Sequence, residues 1–268
     1  CLLPVACCLL PVACCLLPVA QSCHTLPMLV LEASDPLARS LFEAVKGGQL
    51  DTIQHLLHEN AALANARLRG PRGREETPLQ LVTDWPGYFP NGPEVARLLL
   101  AAGADPDGTG AQTGQWHETP LHWTASSDDV EVAQVLIDGG ANIEAPDGSI
   151  GTPLGNAVGY ACWRVARLLV AHGARVDLLW HAAGVGLTAR VRELLPGATP
   201  EQVSQAFYHA CSGGHRRTAE LLLAAGANLN FVPDYAKDTP LAAAGSHGTG
   251  REALLTWLRE QGAQSASS

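Results

Sequence analysis

The sequence predicts an all-α repeat fold, a solenoid of about seven helix–turn–helix units joined by short β-hairpin or loop fingers. Three observations predict it. The tripeptide Thr-Pro-Leu occurs at 77–79, 119–121, 152–154 and 239–241. Each copy is followed by a run of small residues, then a Leu-rich run, then Gly-Ala. The interval from Thr119 to Thr152 is 33 residues, a period at which repeated supersecondary units stack. Composition agrees: 47% hydrophobic and 16% charged residues in 268 is too apolar for a disordered chain.

Each part of the pattern has a physical role. Thr-Pro opens a helix, because Thr caps free N–H groups and Pro is tolerated in the first turn. Small residues after it let neighbouring first helices approach closely. Leucines on the second helix fill the space between units, and the following Gly supplies a left-handed helix end. A single such unit cannot bury its apolar face, so stacking makes the core.

The whole pattern, best seen in Thr119-Pro120-Leu121-His122-Trp123-Thr124-Ala125 followed by Gly140-Ala141-Asn142, resembles the ankyrin repeat. The family template places units near 37–66, 77–107, 119–146, 152–176, 177–200, 205–230 and 239–264. The resemblance implies an elongated, curved stack that binds other proteins through finger tips and the inner-helix face. It also implies a structural role for His122, bonding between neighbouring units.

Residues 1–27 stand apart. They contain no Asp, Glu, Lys or Arg, and Cys1–Ala20 repeats with a period of seven. A membrane span is disfavoured by Pro4, Pro11 and Pro18, and a signal peptide by the lack of a positive n-region. Met28 is the only methionine, so 1–27 reads as a translated tandem repeat or a tail outside the fold, with an export or membrane signal as the alternative. The rest reads as a cytoplasmic, monomeric domain over 28–268. The bias of 15 Arg to 2 Lys is associated with a GC-rich, bacterial genome. A net charge of −9 disfavours nucleic acid and anionic membranes as partners.

Departures from the period locate candidate sites. The second unit is nine residues long for its type, since Thr77 to Thr119 spans 42 against 33. About five extra residues fall in the turn 84–93 and the others in 108–114. Trp85, Tyr88 and Phe89 in that turn either cover the end of the stack or form an aromatic contact loop. The fifth unit lacks the residues for a finger on its entry side, which predicts a local change of curvature near 174–204. Thr199-Pro200-Glu201 reads as a helix start. Polar residues at both ends, among them Lys46, His55 and His58 at one and Arg251 and Glu252 at the other, read as caps facing water.

No nucleophile elbow, phosphate-binding loop or metal-ligand motif is present. Gly108, Gly110 and Gly114 lie in a finger rather than between a strand and a helix. His55 and His58 have no visible third ligand, and Cys211 reads as a buried, inert thiol. No cofactor, metal or catalytic residue is expected. The expected partner is another protein. The candidate contact residues are Trp116 and His117 before the third unit, Ser126 and Ser127 after its first helix, Tyr160 with nearby Trp163, the loop residues Trp85, Tyr88 and Phe89, and a cluster of His181, Tyr208 and His209 beside Trp180. Trp116 and Tyr160 stand first among them. The alternative is a small-molecule or carbohydrate module built from the 84–93 loop and the His/Tyr/Trp cluster.

Overall fold

The computed structural model describes residues 29–70, 73–110, 117–246 and 251–265. The 1–27 segment, Trp116 and most of the 108–114 insertion lie outside the described residues. Fourteen α-helices follow one another in pairs among the described residues. They are α1 (Pro36–Gly47) and α2 (Leu50–Glu59), α3 (Pro78–Thr83) and α4 (Gly92–Ala101), α5 (Pro120–Ser127) and α6 (Val130–Asp138), and α7 (Pro153–Gly159) and α8 (Trp163–Ala171). They continue as α9 (Leu179–Gly184) and α10 (Thr188–Leu194), α11 (Pro200–Gly213) and α12 (Arg216–Ala224), and α13 (Pro240–Ser246) and α14 (Glu252–Glu260).

The first helices of the pairs form one layer, each packing on the next from α1 to α13. The second helices form the other, in the runs α2–α4–α6–α8 and α10–α12. The Thr-Pro prediction holds locally. Thr77, Thr119, Thr152 and Thr199 are N-caps with Pro at the first helical position. The Leu-x-x-x-Gly-Ala signature is a helix stop. Leu99, Leu136, Leu169, Leu222 and Leu258 are each wholly buried on a second helix. Their carbonyls accept the N–H groups of Ala104, Ala141, Ala174, Ala227 and Ala263 at 2.9–3.1 Å. That bond requires a left-handed residue between them, and Gly140, at φ 91°, is one such position.

α8 is capped from outside. Cys162 at its N-cap makes no side-chain capping bond. Instead the Asp128 carboxylate of the preceding pair accepts the Arg164 and Val165 N–H groups, each at 2.9 Å. An acceptor from one unit satisfies the open helix end of the next.

Four expectations are corrected. The fold is not wholly α-helical: β1 (Val30–Glu32) pairs parallel with β2 (Arg67–Arg69), which pairs antiparallel with β3 (Glu75–Glu76). Leu31 and Leu68, opposite each other, are buried while their chain neighbours face outward, as a strand's two-residue period requires. The sixth unit begins at Pro200 rather than near 205 where the template places it, because the helix start read at Thr199-Pro200 is that of α11, closed by a capping box of Thr199 and Gln202. Arg251 is not a solvent-facing cap, because its Nη1 donates to the carbonyls of Ser212 at 2.6 Å and Ala244 at 3.2 Å. Gln264, after the last helix and in the segment that the polar, small-residue composition of 264–268 reads as a loose tail, donates its N–H to Asn230 and accepts from the Thr239 hydroxyl, both at 2.8 Å.

The core is divided. One buried cluster runs from Leu31 to Ala174 and the other from Leu179 to Leu258. The break falls where the fifth pair lacks its finger. Half-buried Val176 and Trp180 pack against both clusters and join them.

Candidate functional site

Three histidines occupy related places on first helices and meet different fates. His122 is the third residue of α5. Its Nδ1 accepts the Thr119 N–H at 3.1 Å, and its Nε2 donates to the Gly151 carbonyl of the following finger at 2.9 Å. This is the inter-unit role that the repeat pattern implies. His181 holds the same position in α9, but the residue at its N-cap is Leu178, which has no hydroxyl, and no finger follows. Both ring nitrogens are buried without a hydrogen-bond partner. Burial pushes the His181 pKa down to about 4, against the opposing pull of Asp177 and Glu144. His209 recovers a partner, the hydroxyl of Tyr235 at 2.8 Å from Nε2. Burial, with a smaller contribution from His181, pushes its pKa down to about 3. Both imidazoles are therefore neutral at pH 7.

The predicted cluster is real and larger than predicted. The Trp180 ring lies edge-on to His181 at 4.1 Å and tilted to His209 at 5.0 Å. Tyr208 meets His209 edge-on at 5.4 Å, and Tyr235 stacks on His209 at 6.2 Å. The Tyr235 hydroxyl also accepts the Gln205 amide at 3.0 Å. Tyr235 and Gln205 were missed by sequence reasoning. Tyr235 stands four residues before Thr239, close to the register of Trp116 before Thr119, and that spacing was a usable signal.

Tyr160 is the hinge of the surface. It caps the C-terminal end of α7, is 52% exposed, and borders a groove at Tyr208 and Lys237 and two further clefts. One, of about 350 Å³, is lined by Trp85, Trp123, Ser126, Ser127, Arg74, Asp84 and Glu118 as well as Tyr160. The other, of about 360 Å³, is lined by Ile150, Gly159, Trp180, Gln205, His209 and Tyr235 as well as Tyr160. The structure thus gathers Trp85, Ser126, Ser127, Tyr160 and His209 along one face. The serine hydroxyls point back into the protein, Ser126 donating to His122 O at 3.0 Å and Ser127 to Trp123 O at 3.2 Å.

The 84–91 loop does not cover an end of the stack. It is tied to its neighbours on both sides. Lys46 of the first pair donates to Asp84 at 2.8 Å and sits 4.1 Å above the Phe89 ring. Asn91, left-handed at φ 52°, donates to the Gly48 carbonyl at 2.9 Å. Gly48 is required there, since a Cβ would stand 2.0 Å from the Pro90 carbonyl oxygen. On the other side Tyr88 N–H donates to Asp129 at 2.8 Å, and the Tyr88 hydroxyl donates to the Asp128 carbonyl and accepts from Arg164. The polar atoms of Tyr88 and the ring of Phe89 are thus engaged within the protein, although Tyr88 stays 52% exposed, and Trp85 is 78% exposed.

Two further candidates are displaced. Trp163 is buried, because it opens α8 with its ring against α9, where a Cβ on Gly184 would meet it at 3.1 Å. His181 is 5% exposed and lies behind Trp180, outside the linings of both clefts. His117 is exposed, with its N–H bonded to Asp147 O at 2.9 Å. Burial raises the thiol pKa of both described cysteines, that of Cys162 to about 12, so neither is a thiolate at neutral pH. Among the described residues no cluster of His, Cys, Asp and Glu has the geometry to hold a metal ion. No described helix is long and apolar enough to cross a membrane.

Comparison with known proteins places this arrangement. The chain is 28% identical over 210 residues to an ankyrin repeat and KH domain-containing protein of Caenorhabditis briggsae, a match covering 73% of this chain and 7% of that protein. It is 32% identical over 168 residues to ankyrin repeat and SOCS box protein 6 of Pongo abelii, covering 54% of this chain and 37% of that protein. The chain thus spans well under half the length of these curated relatives. Similar solved structures include the ankyrin repeat domain of Bcl-3, with TM-score 0.47, 24% identity and coverage of 82% of this chain and 97% of that one. They also include the human ASB11 ankyrin repeat domain, with TM-score 0.47, 21% identity and coverage of 81% and 96%. The family model for ankyrin repeats, in three copies, matches residues 41–147 and 87–178, which together span half of the sequence. On that match, and with the Thr-Pro caps, the inter-unit His122 and the paired helices in place, the chain belongs to the ankyrin repeat family.

Proposed function

We propose that this chain is a non-catalytic, cytoplasmic interaction scaffold of seven ankyrin units, acting as a monomer. It binds another protein through the face on which Tyr160 stands. Ankyrin repeats generally mediate protein–protein contacts, and the observation that carries the reading here is Tyr160 itself. A half-exposed aromatic between two clefts, on a surface of rigid helix ends, has the character of an interface anchor. The surrounding aromatics are held in place by hydrogen bonds before any partner arrives, which lowers the ordering cost of association. The seven helix pairs are read as seven repeats, including the fifth, which has lost its finger.

The test is affinity capture by the full chain beside a Tyr160→Ala, Trp85→Ala variant. Both side chains are exposed, so helicity and melting are expected to be unchanged. One partner enriched by the native chain and depleted at least ~10-fold by the variant is the expected result, since an anchoring aromatic is worth about 2 kcal/mol. Equal recovery by both baits would move the binding face elsewhere.

A further inference from the structure

We propose that the cleft bounded by Tyr160, Trp180, His209 and Tyr235 receives a cationic side chain, an arginine or lysine, of the partner protein. The proposal rests on the interaction reading above and adds the chemistry of what is recognised.

The walls are aromatic and pre-set. Trp180 is braced edge-on by His181, and Tyr235 is fixed by hydrogen bonds to both His209 and Gln205. No lysine or arginine lines this cleft. Burial holds both histidines neutral at pH 7, so they add no positive charge that would repel a cation. Asp234 and Asp238 flank Tyr235 in the same loop, and neither takes part in a salt bridge among the described residues. Asp238 lines the adjoining groove together with Lys237, the one base beside it. The chain as a whole carries a charge of −9. Aromatic faces next to unpaired carboxylates attract cations through the ring quadrupole and the local field together.

The protein supplies its own precedent on the other side of Tyr160. There the Arg74 guanidinium lies 5.1 Å from the Trp123 ring centre and is paired with Glu76 at 2.8 Å. That cleft holds its cation internally. The cleft at Trp180 has the aromatic surface and no resident cation, with the nearest lining carboxylate, Asp238, in the adjoining groove.

The test uses two probes of nearly the same shape, N-acetyl-arginine amide and its uncharged analogue N-acetyl-citrulline amide. Each is titrated into the isotope-labelled full chain while the Trp180 indole N–H resonance is followed. A saturable shift with the arginine probe is expected, with the citrulline probe at least ~5-fold weaker. Tyr160→Leu and Asp238→Asn are each expected to weaken the arginine probe by ~3–5-fold. Both residues lie at the surface, and two independent variants guard against a folding defect in one. Equal binding of the two probes, or arginine shifts that spare Trp180, would overturn the proposal. If the arginine probe binds here but no protein is captured, the cleft stands as a cation site and the scaffold reading falls. If a partner is captured and the probe does not bind, only the cation proposal falls.

Discussion

Truncating Phe207 to alanine lowers the unfolding free energy by ~3–5 kcal/mol, the range for removing a large, fully packed aromatic. Phe207 is wholly buried at the centre of α11, the longest helix, which packs against α9, α12 and α13. The loss is also expected to be regional. The two core clusters are joined through Val176 and Trp180, both only half-buried. In a stacked fold, stability is close to a sum of unit and interface terms, so a weak interface lets one side open first. Urea unfolding of Phe207→Ala should therefore show two steps. The fluorescence of Trp180 and Trp257 would change in the first and that of Trp123 and Trp163 in the second. A single transition with a loss below ~1 kcal/mol would contradict both the packing and the division of the core.

Acid should destabilise the fold through its buried histidines, and His181 allows a clean measurement. Its folded pKa, about 4, lies below the ordinary value of 6.5. Between those values the unfolded chain binds the proton and the folded chain does not. The destabilisation from His181 is therefore absent above pH 6.5, grows as the pH drops from 6.5 to about 4, and is complete below. The size is roughly 3 kcal/mol at 1.36 kcal/mol per pKa unit. His209 acts in the same direction over a window reaching to about pH 3. His122 and His215 are lowered as well, chiefly by burial. The variant His181→Leu is expected to match or exceed native stability at pH 7, because it removes two buried nitrogens without partners. At pH 4.5 its advantage should be larger by ~2–3 kcal/mol. Parallel stability curves for the two proteins from pH 7 to 4.5 would refute the assignment.

Much of the fold was legible because its signals are local. Thr-Pro marks helix starts by filling the N-cap and first-turn positions. Leu-x-x-x-Gly-Ala marks helix ends, because the alanine N–H must reach back past a left-handed residue to the leucine carbonyl. Asp35 caps α1 in the same way, by accepting the Leu37 N–H at 2.8 Å. The parallel strand β1 was not legible, since its partner lies 37 residues away and three residues carry little periodicity. Arg251 was misread because charge alone suggests solvent, whereas two carbonyls draw its guanidinium inward.

The candidate site was legible at the level of residue type and less so at the level of direction. Tyr160 and Trp85, which follow the first helices α7 and α3, and His209 within α11 are brought to one face. Trp163 sits in a similar stretch of sequence but turns inward, because Gly184 opens room for its ring on the neighbouring helix. Tyr88 and Phe89 were expected to cover the end of the stack or to form a contact loop, whereas their partners, Asp128, Arg164 and Lys46, come from the units on either side. Tyr235 escaped because it acts across 26 residues, as the hydroxyl that replaces a backbone carbonyl for His209. His181 shows the opposite: sequence spacing identified the position, and only the structure shows that both of its partners are missing.

The most direct measurement is hydrogen–deuterium exchange of the full chain with and without the captured partner. The expected result is slowed exchange in 84–91, 126–128, 159–161 and 234–236, the segments that border Tyr160 and its two clefts. Slowed exchange confined to the second helices α6, α8, α10 and α12, with these segments unchanged, would show that the partner uses the opposite face and would contradict the central claim.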